Sequence, residues 1–308
     1  MQPPIDLFTV GEAFEDIIFV DLPRLPGPGE EVKTSRLVRT IGGGAVITAV
    51  AAARLGLQCG VLSGLSREAA ARLRGENVKV RNLRRSGEPH AVSAALSTRT
   101  DRSFVTFNGI NDELEGRLLK EIEKVSARHI HLAFYPRDCR QWLDVILRLR
   151  SRGISTSWDF GWNEGLLKDS AFLETLHALD YLFLNEMEAV LYSGARTLED
   201  ALSYWKIQPE KAIVKLGEKG CIWPARPLRA AAPRVAVVDT TGAGDAFNGG
   251  FLYGLIRGLS PRDCLRTGTR VGSMSTRAAG GLDGLPRMNE LESRRARSPL
   301  RLRSLPRS

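Results

Sequence analysis

The second half of the chain alternates between β-rich runs and helical stretches, and this alternation restricts the fold more than any other feature. We predict five strands, at residues 129–133, 155–159, 181–184, 212–215 and 235–238. Such alternation implies right-handed crossovers and a mostly parallel sheet that helices cover on both faces. Ligands of such sheets bind at the carboxyl ends of the strands. The segments that should therefore cluster at one edge are 159–163, 185–188, 215–220 and 239–245.

The first part of the chain has shorter β-rich runs that are separated by turns. Residues 32–40 alternate in the manner of an exposed strand, and a further strand-rich stretch lies within 88–108. We expect segments 14–40 and 88–108 to form a small β lid on the main body. Between them, residues 45–55 are rich in alanine and predict a helix, with Gly56 at the position of a C-cap.

Composition excludes several classes of protein. Hydrophobic residues make up 43% and charged residues 26% of the 308 residues, and no apolar run reaches the roughly 18 residues of a membrane span. The first residues lack the features of a secretion signal, so we expect a cytoplasmic protein. The cysteines have no CxxC spacing, which predicts neither a zinc site nor a disulfide framework; they are Cys59, Cys139, Cys221 and Cys264.

The formal net charge of +9 is concentrated at one end. Residues 293–308 contain six arginines and no acidic residue. We therefore interpret 1–292 as one domain and 293–308 as a flexible basic tail, and we expect neither a nucleic-acid nor a membrane partner.

The run Asp-Thr-Thr-Gly-Ala-Gly-Asp at 239–245 carries the strongest chemical signal. Gly242 and Gly244 allow a tight turn whose backbone N–H groups, at the start of a helix, would attract an anion. Asp245 in the first helical turn could accept a proton from a hydroxyl that attacks a phosphate. The alternative is an ordinary glycine-rich turn in which Asp245 only interacts favourably with the helix dipole.

The nine residues Asp-Thr-Thr-Gly-Ala-Gly-Asp-Ala-Phe at 239–247 match the second signature of the ribokinase-like (PfkB) carbohydrate kinases, which this chain resembles over about residues 5–290. The resemblance implies a three-layer α/β/α sandwich with a small β lid, and an ATP-dependent kinase that requires Mg²⁺. It also implies that Gly242, Ala243 and Gly244 line an anion hole and that Asp245 is the catalytic base.

The resemblance extends to segments that would contact the nucleotide. Asn185 and Glu188 match an Asn-x-x-Glu motif that organises Mg²⁺, with Glu188 acting through water, although the same residues also predict a helix capping box. The remaining candidates on this side are Lys215, which stands where the family has Thr, with Gly217, Gly220, Thr241, Gly272 and Thr276. Residues 217–220 could equally form a simple turn, and Gly272 could equally serve close helix packing.

On the substrate side, Gly42 and Gly43 resemble the first family signature, and Asp16 matches the Asp that binds sugar hydroxyls. The chain departs from the family at Ile47, where a substrate-binding Asn is usual, and Thr48 is the adjacent polar candidate. Further candidates are Arg102 and Asn108, which flank the predicted lid strand 103–107, and, more weakly, Arg137 and Asp159 at predicted strand ends on the ligand-binding edge.

We therefore expect a kinase that acts on a sugar or a sugar-like molecule. The alternatives are a nucleoside or vitamin-precursor kinase on the same fold and a non-catalytic ligand-binding regulator. By analogy with the family, Asp239 is a candidate ligand of a monovalent cation such as K⁺, and the lid is a candidate surface for a homodimer. A metal site at His129 and His131 is not expected, because no matching carboxylates or cysteines accompany them.

Overall fold

A computed structural model describes residues 5–98, 102–207 and 211–295, without the side chains of Arg102 and residues 292–295. The predicted tail at 293–308 lies outside these residues, apart from the backbone of its first three. No helix in the described ranges is long and apolar enough to cross a membrane.

A nine-stranded sheet forms the centre of the main body, in the order β13-β12-β11-β10-β9-β8-β1-β4-β5. All neighbours pair in parallel except at the β11-β12-β13 edge, which is antiparallel. The strands are β1 Ile5–Gly11, β4 Cys59–Ser63, β5 Lys79–Asn82, β8 Ala127–Ala133, β9 Ser155–Asp159, β10 Tyr181–Asn185, β11 Ala212–Lys215, β12 Cys221–Trp223 and β13 Leu228–Ala230.

Helices cover both faces of this sheet, which gives the predicted three-layer α/β/α arrangement. One face packs against α1 Gly44–Arg54, α2 Arg67–Gly75, α8 Ala243–Ile256, α9 Pro261–Ser275 and α10 Met288–Arg295. The other packs against α3 Asn111–Glu121, α4 Cys139–Ser151, α5 Phe172–Ala178, α6 Glu186–Ser193 and α7 Leu198–Ile207. Separate apolar clusters fill the two layers, so each strand of the sheet interior is buried on both sides.

A second sheet of four strands stands apart from the first, in the order β3-β2-β6-β7. Its strands are β2 Phe14–Leu22, β3 Arg36–Gly42, β6 Val92–Thr98 and β7 Arg102–Phe107. They lie almost entirely within the segments 14–40 and 88–108 that the sequence assigns to a lid. Residues 32–35, however, form no strand, because β3 begins only at Arg36.

The strand predicted at 235–238 is wrong. Residues 231–238 form an extended loop, and the side chains of Val237 and Val238 are more than half exposed. Instead of pairing with a strand, the loop is held at its end by the carbonyl of Thr276, which accepts hydrogen bonds from the N–H groups of Val238 and Asp239. A β-branched run is therefore not sufficient for a strand where no partner strand lies alongside it.

The C-terminal end of α1 is fixed by a buried ion pair. Arg54 donates to both carboxylate oxygens of Glu76, from Nε at 3.0 Å and from Nη2 at 2.6 Å. Its Nη1 also donates to the carbonyls of Leu282 and Leu285. This guanidinium thus connects α1, the end of α2 and the segment that precedes α10.

We expect Arg54→Met to lower the free energy of unfolding by about 3–5 kcal/mol, because it leaves the buried Glu76 carboxylate and two carbonyls without their donor. Arg72→Met is the matched control, because the Arg72 pair with Asp283 is about half exposed and should contribute less than about 1 kcal/mol. Urea denaturation of the three proteins gives the comparison. Equal losses for the two variants would contradict the assigned importance of Arg54.

Candidate active site at the carboxyl edge of the sheet

The run 239–245 forms a fixed turn at the start of α8. Gly242 has a φ of 71°, a left-handed conformation that favours glycine, and α8 begins at Ala243. The two carboxylate oxygens of Asp239 accept hydrogen bonds of 2.8 Å from the N–H groups of Thr241 and Gly280. Asp239 is therefore the residue that holds this turn against the segment around Gly280.

Three successive glycines leave room for two carboxylates of the site. A Cβ on Gly42 would collide with Oδ2 of Asp16, and one on Gly44 would lie 2.9 Å from Oδ1 of Asp245. Gly43, with a φ of 99°, faces the carbonyl of Glu12 so closely that a side chain has no space. The start of α1 therefore lies against both Asp16, the candidate for binding sugar hydroxyls, and Asp245, the candidate base. The two carboxyls are at neighbouring positions as a result.

A buried cluster of charges surrounds Asp245. Nζ of Lys215 lies 2.5 Å from Oδ2 of Asp159, and Nδ2 of Asn248 donates to the same oxygen at 2.7 Å. An added Cβ on Gly244 would lie 3.1 Å from that Nζ, so the ammonium is directly beside the glycine turn. Lys215 and Asp159 therefore belong to the site.

Burial and charge shift the titration of this cluster. Burial raises the pKa of Asp245 above that of a free carboxyl, repulsion from Asp159 adds to the effect, and Lys215 opposes it. Burial also acts to raise the pKa of Asp159, but the ammonium of Lys215 and the amide of Asn248 outweigh it and keep that pKa low. The pKa of Asp245 is thus raised while that of Asp159 stays low, so the two neighbouring carboxyls differ in protonation.

Asn185 and Glu188 form the capping box of α6. The side chain of Asn185 accepts from the N–H of Glu188 at 2.8 Å, and the carboxylate of Glu188 accepts from the N–H and Nδ2 of Asn185 at 2.9 and 2.7 Å. The capping interpretation is therefore confirmed. Burial, followed by repulsion from Asp159, raises the pKa of Glu188.

Asp16 lies on β2 with its carboxyl against Gly42. Burial raises the pKa of Asp16 to about 7, and repulsion from Asp239 adds to this. A carboxyl in such surroundings gains from the hydrogen bonds of ligand hydroxyls, which replace the lost water.

The structure corrects the expectation for Thr48. Its side chain is fully buried between α1 and α8, where Oγ1 donates to the backbone carbonyl of Asp245 at 3.1 Å. Ile47 is buried as well, and its Cδ1 would lie 2.5 Å from a Cβ on Gly242. Thr48 and Ile47 thus pack against the backbone of the turn at 242–245, and neither side chain is open to a ligand.

Two candidates on the nucleotide side also have packing roles. A Cβ on Gly272 would lie 2.9 Å from the carbonyl of Ala243, so this glycine serves the close approach of α9 to α8. Oγ1 of Thr276 donates to the carbonyl of Ser273 in its own helix. By contrast, Gly217 and Gly220 flank a tight turn directly after β11, both with positive φ.

At the lid, Nδ2 of Asn108 donates to Asp112 at 3.0 Å, whereas the side chain of Arg102 lies outside the described residues.

The sequence motifs did not predict Glu12, which lies in the link between β1 and β2. Burial raises the pKa of Glu12 to about 7; repulsion from Asp112 adds to this, and Arg137 opposes it. Nη2 of Arg137 also donates to the backbone carbonyl of Asp112 at 2.5 Å. No motif marks Glu12, because its partners come from distant parts of the chain.

The donor sets differ in how well they fit metal ions. Within the described residues, no three acidic, histidine or cysteine side chains are grouped so as to hold a metal ion directly. The carboxylates of Asp159, Glu188 and Asp245, with the ammonium of Lys215 among them, therefore fit a divalent cation such as Mg²⁺ only if water lies between. Glu188 fits an outer position, reached through water, because Asn185 occupies both of its oxygens. Asp239 fits a potassium ion poorly, since backbone N–H groups already bind its two oxygens.

Comparison with known proteins gives a family match over nearly the whole chain. The model of the pfkB family carbohydrate kinases matches residues 5–288. A ribokinase from Bacillus subtilis is 28% identical over 303 residues, which cover 93% of this chain and 98% of the ribokinase.

Solved structures share the fold. The crystal structure of an adenosine kinase from Sinorhizobium meliloti superposes with a TM-score of 0.80 at 21% identity, covering 95% of this chain and 100% of that one. A ribokinase from Cryptococcus neoformans in complex with ADP gives a TM-score of 0.76 at 21% identity, with the same coverage.

We expect Lys215→Met to destabilise the protein more at pH 8 than at pH 5. The low pKa of Asp159 contributes stability that is present above its unfolded value and is lost as the pH falls through the folded one. Without the ammonium, burial raises this pKa, so the ionised carboxylate costs about 3–5 kcal/mol at pH 8 and less as it becomes protonated. Urea denaturation at both pH values measures the difference. Lys219→Met, at an exposed ion pair, is the control; a loss for Lys215→Met that does not change with pH would contradict the prediction.

Proposed function

Since the chain belongs to the pfkB family of carbohydrate kinases, we propose that it transfers the γ-phosphoryl group of ATP to a hydroxyl of a sugar or sugar-like molecule, with Asp245 as the catalytic base. That the protein is a kinase of a sugar or a nucleoside follows from the family itself. The residue roles and the identity of the acceptor are our proposal.

One observation carries this assignment. The carboxyls of Asp16 and Asp245 pack against Gly42 and Gly44, two glycines that only one residue separates. A hydroxyl-bearing molecule held by the first carboxylate would thus present a neighbouring hydroxyl to the second. Such positioning accounts for a large part of the catalysis of phosphoryl transfer.

Asp245 would accept the proton of the attacking hydroxyl. Its raised pKa gives it the basicity for this step, and Lys215 keeps a fraction ionised. The backbone N–H groups of the turn at Gly242, Ala243 and Gly244 would stabilise the charge that develops on the transferred phosphoryl group. Thr48 supports this step indirectly, because it fixes the backbone of Asp245.

Lys215 is proposed to add a positive charge beside that turn. Burial acts to lower the pKa of Lys215, but Asp159, Glu188 and Asp245 outweigh it and keep the ammonium charged. Its Nζ is adjacent to Gly244, where the phosphoryl group would pass. The turn at Gly217 and Gly220, with Thr241, is proposed to contact the nucleotide.

Mg²⁺, when bound, would neutralise the phosphate oxygens of ATP. The residues proposed to hold it, through water, are Asp159 and Glu188 with Asn185. Potassium has no proposed role, because the backbone N–H groups of Thr241 and Gly280 already bind both oxygens of Asp239.

The acceptor is proposed to carry adjacent hydroxyls. Asp16 can accept hydrogen bonds from two of them, which suits a sugar and equally the ribose of a nucleoside. Ile47 favours neither a sugar nor a nucleoside as the acceptor, because its side chain packs against Gly242. The non-catalytic regulator is set aside, since the chain belongs to a family of kinases.

The small sheet is proposed to close over the acceptor, with Asn108 and Glu12 at its base and Arg102 at the opposite end of β7. Closure would exclude water and so limit ATP hydrolysis. Phe104, Val105 and Phe107 are exposed on this sheet, which supports the proposal that it also forms a homodimer interface. A cytoplasmic location stays a prediction.

We expect Asp245→Asn to reduce kcat by roughly 10²- to 10⁴-fold, because an amide cannot accept the proton. ATP consumption is measured with a panel of sugars and nucleosides, first to find the acceptor and then to compare the variants. Binding of ADP, measured by calorimetry, should stay close to that of the wild type.

Asp144→Asn is the control for this variant, since Asp144 is an exposed residue of α4 far from the turn. Turnover that survives Asp245→Asn would remove the proposed mechanism. Absence of turnover with every acceptor, together with a failure to bind ADP, would remove the proposed function itself.

We expect the affinity for the acceptor to increase as the pH rises through about 7, where Asp16 loses its proton. The carboxylate can accept from two hydroxyls at once, and the protonated form cannot do so as well. Calorimetric titration without nucleotide, from pH 6 to 8.5, checks this. Asp16→Asn should bind about tenfold or more weakly and show no such pH dependence; a wild type with constant affinity over this range would contradict the assignment.

A further inference from the structure

A cavity of about 620 Å³ lies at the edge of the large sheet opposite the candidate active site. It opens where the parallel strands β8, β9 and β10 begin and where α8 ends at Ile256. At roughly 1.5 Å per residue along α8, Ile256 is about 16 Å from Asp245. The cavity is therefore separate from the proposed site of phosphoryl transfer.

Three cationic side chains from different segments line this cavity: Arg128, Lys211 and Arg226. Nη1 of Arg128 is 3.6 Å from Asp6, and Nζ of Lys211 is 3.8 Å from Asp180, so both ion pairs are longer than a hydrogen bond. Within the described residues Arg226 has no ion pair. A ligand anion could therefore bind these cations more closely than the protein's own carboxylates do.

Aromatic side chains hold the position of these groups. The guanidinium carbon of Arg226 lies 4.8 Å from the ring centroid of Trp223, which is buried. Tyr181 packs edge-on against Trp223 at 5.9 Å, and its hydroxyl makes no hydrogen bond within the described part of the chain. The cavity thus offers a preorganised guanidinium, an ammonium and a free phenolic donor.

We propose that this cavity is a binding site for a small molecule that bears a phosphate group, distinct from the proposed site of phosphoryl transfer. The guanidinium groups of Arg128 and Arg226, the ammonium of Lys211 and the phenol of Tyr181 recognise the phosphate. This site goes beyond the proposed function and does not depend on it.

Nuclear magnetic resonance of the ¹⁵N-labelled full chain tests the site directly. The chain has five tryptophans, and Trp223→Phe identifies the indole signal of Trp223. The probes are ribose 5-phosphate and inorganic phosphate, with potassium chloride at equal ionic strength as the reference. We expect ribose 5-phosphate to shift the Trp223 signal in the wild type and equally in Asp245→Asn, in which the base of the catalytic site is altered.

Arg226→Ala should weaken this binding about tenfold or more, because it removes a charge-assisted contact. Arg229→Ala, an exposed arginine of the same hairpin, is the matched control and should bind as the wild type does. If ribose 5-phosphate binds more tightly than inorganic phosphate, the ligand is an organic phosphate. If the two probes bind equally, the site recognises the phosphate ion alone. An unmoved Trp223 signal, a signal that moves only for Trp162 after β9, or equal affinity in Arg226→Ala would overturn the proposal.

Discussion

The close approach of α1 and α8 is the constraint on which the site depends. A Cβ on Gly249 would lie 2.6 Å from Cβ of Ala51 and 2.7 Å from the carbonyl of Thr48, so the two backbones are nearly in contact. At position 249 even the Cβ of an alanine would collide, so glycine there and the small side chain of Ala51 opposite permit this distance. Because both helices start at the same edge of the sheet, their glycine turns at 42–44 and at 242 face each other. The chemistry of the site is thus set by packing that lies entirely below it.

Charge is the second feature that determines the properties of the candidate site. Asp159, Glu188 and Asp245 are brought together with Lys215, and burial makes their mutual interactions stronger than they would be in water. The carboxylates respond differently because their hydrogen bonds differ: Asp159 accepts from Lys215 and Asn248, whereas Glu188, among the described residues, accepts from Asn185 alone. An acidic cluster with one cation remains attractive to a metal–phosphate complex, which carries both signs of charge.

Sequence patterns predicted the elements in which local and tertiary preferences agree. The apolar run at 212–215 coincides with β11, since it is buried on both faces of a parallel sheet. The run at 235–238 contains more β-branched residues, yet it pairs with no strand of the described residues, and Val237 and Val238 stay exposed. The hairpin of β12 and β13 was not predicted, because its three-residue strands are too short to show a period.

The residues of the candidate site also divide into those that the sequence predicted and those that it did not. The turn at 242 and the neighbouring Asp245 follow from a motif whose glycines have one structural use. Gly272 was ambiguous, because a glycine that admits a ligand and a glycine that admits a helix look alike in a sequence. Glu12 gave no signal at all, since its environment is created by Asp112 and Arg137 from about a hundred residues away.

The packing of Ile47 has an evolutionary consequence. Its side chain packs directly against Gly242 and Gly281, and a Cβ at either glycine would collide with it. The three positions therefore cannot vary independently: a larger residue at 242 or 281 is accessible only after residue 47 has become smaller. Any lineage that carries isoleucine here is confined to the mutational routes on which both glycines persist, so its later substrate preferences must change through other residues.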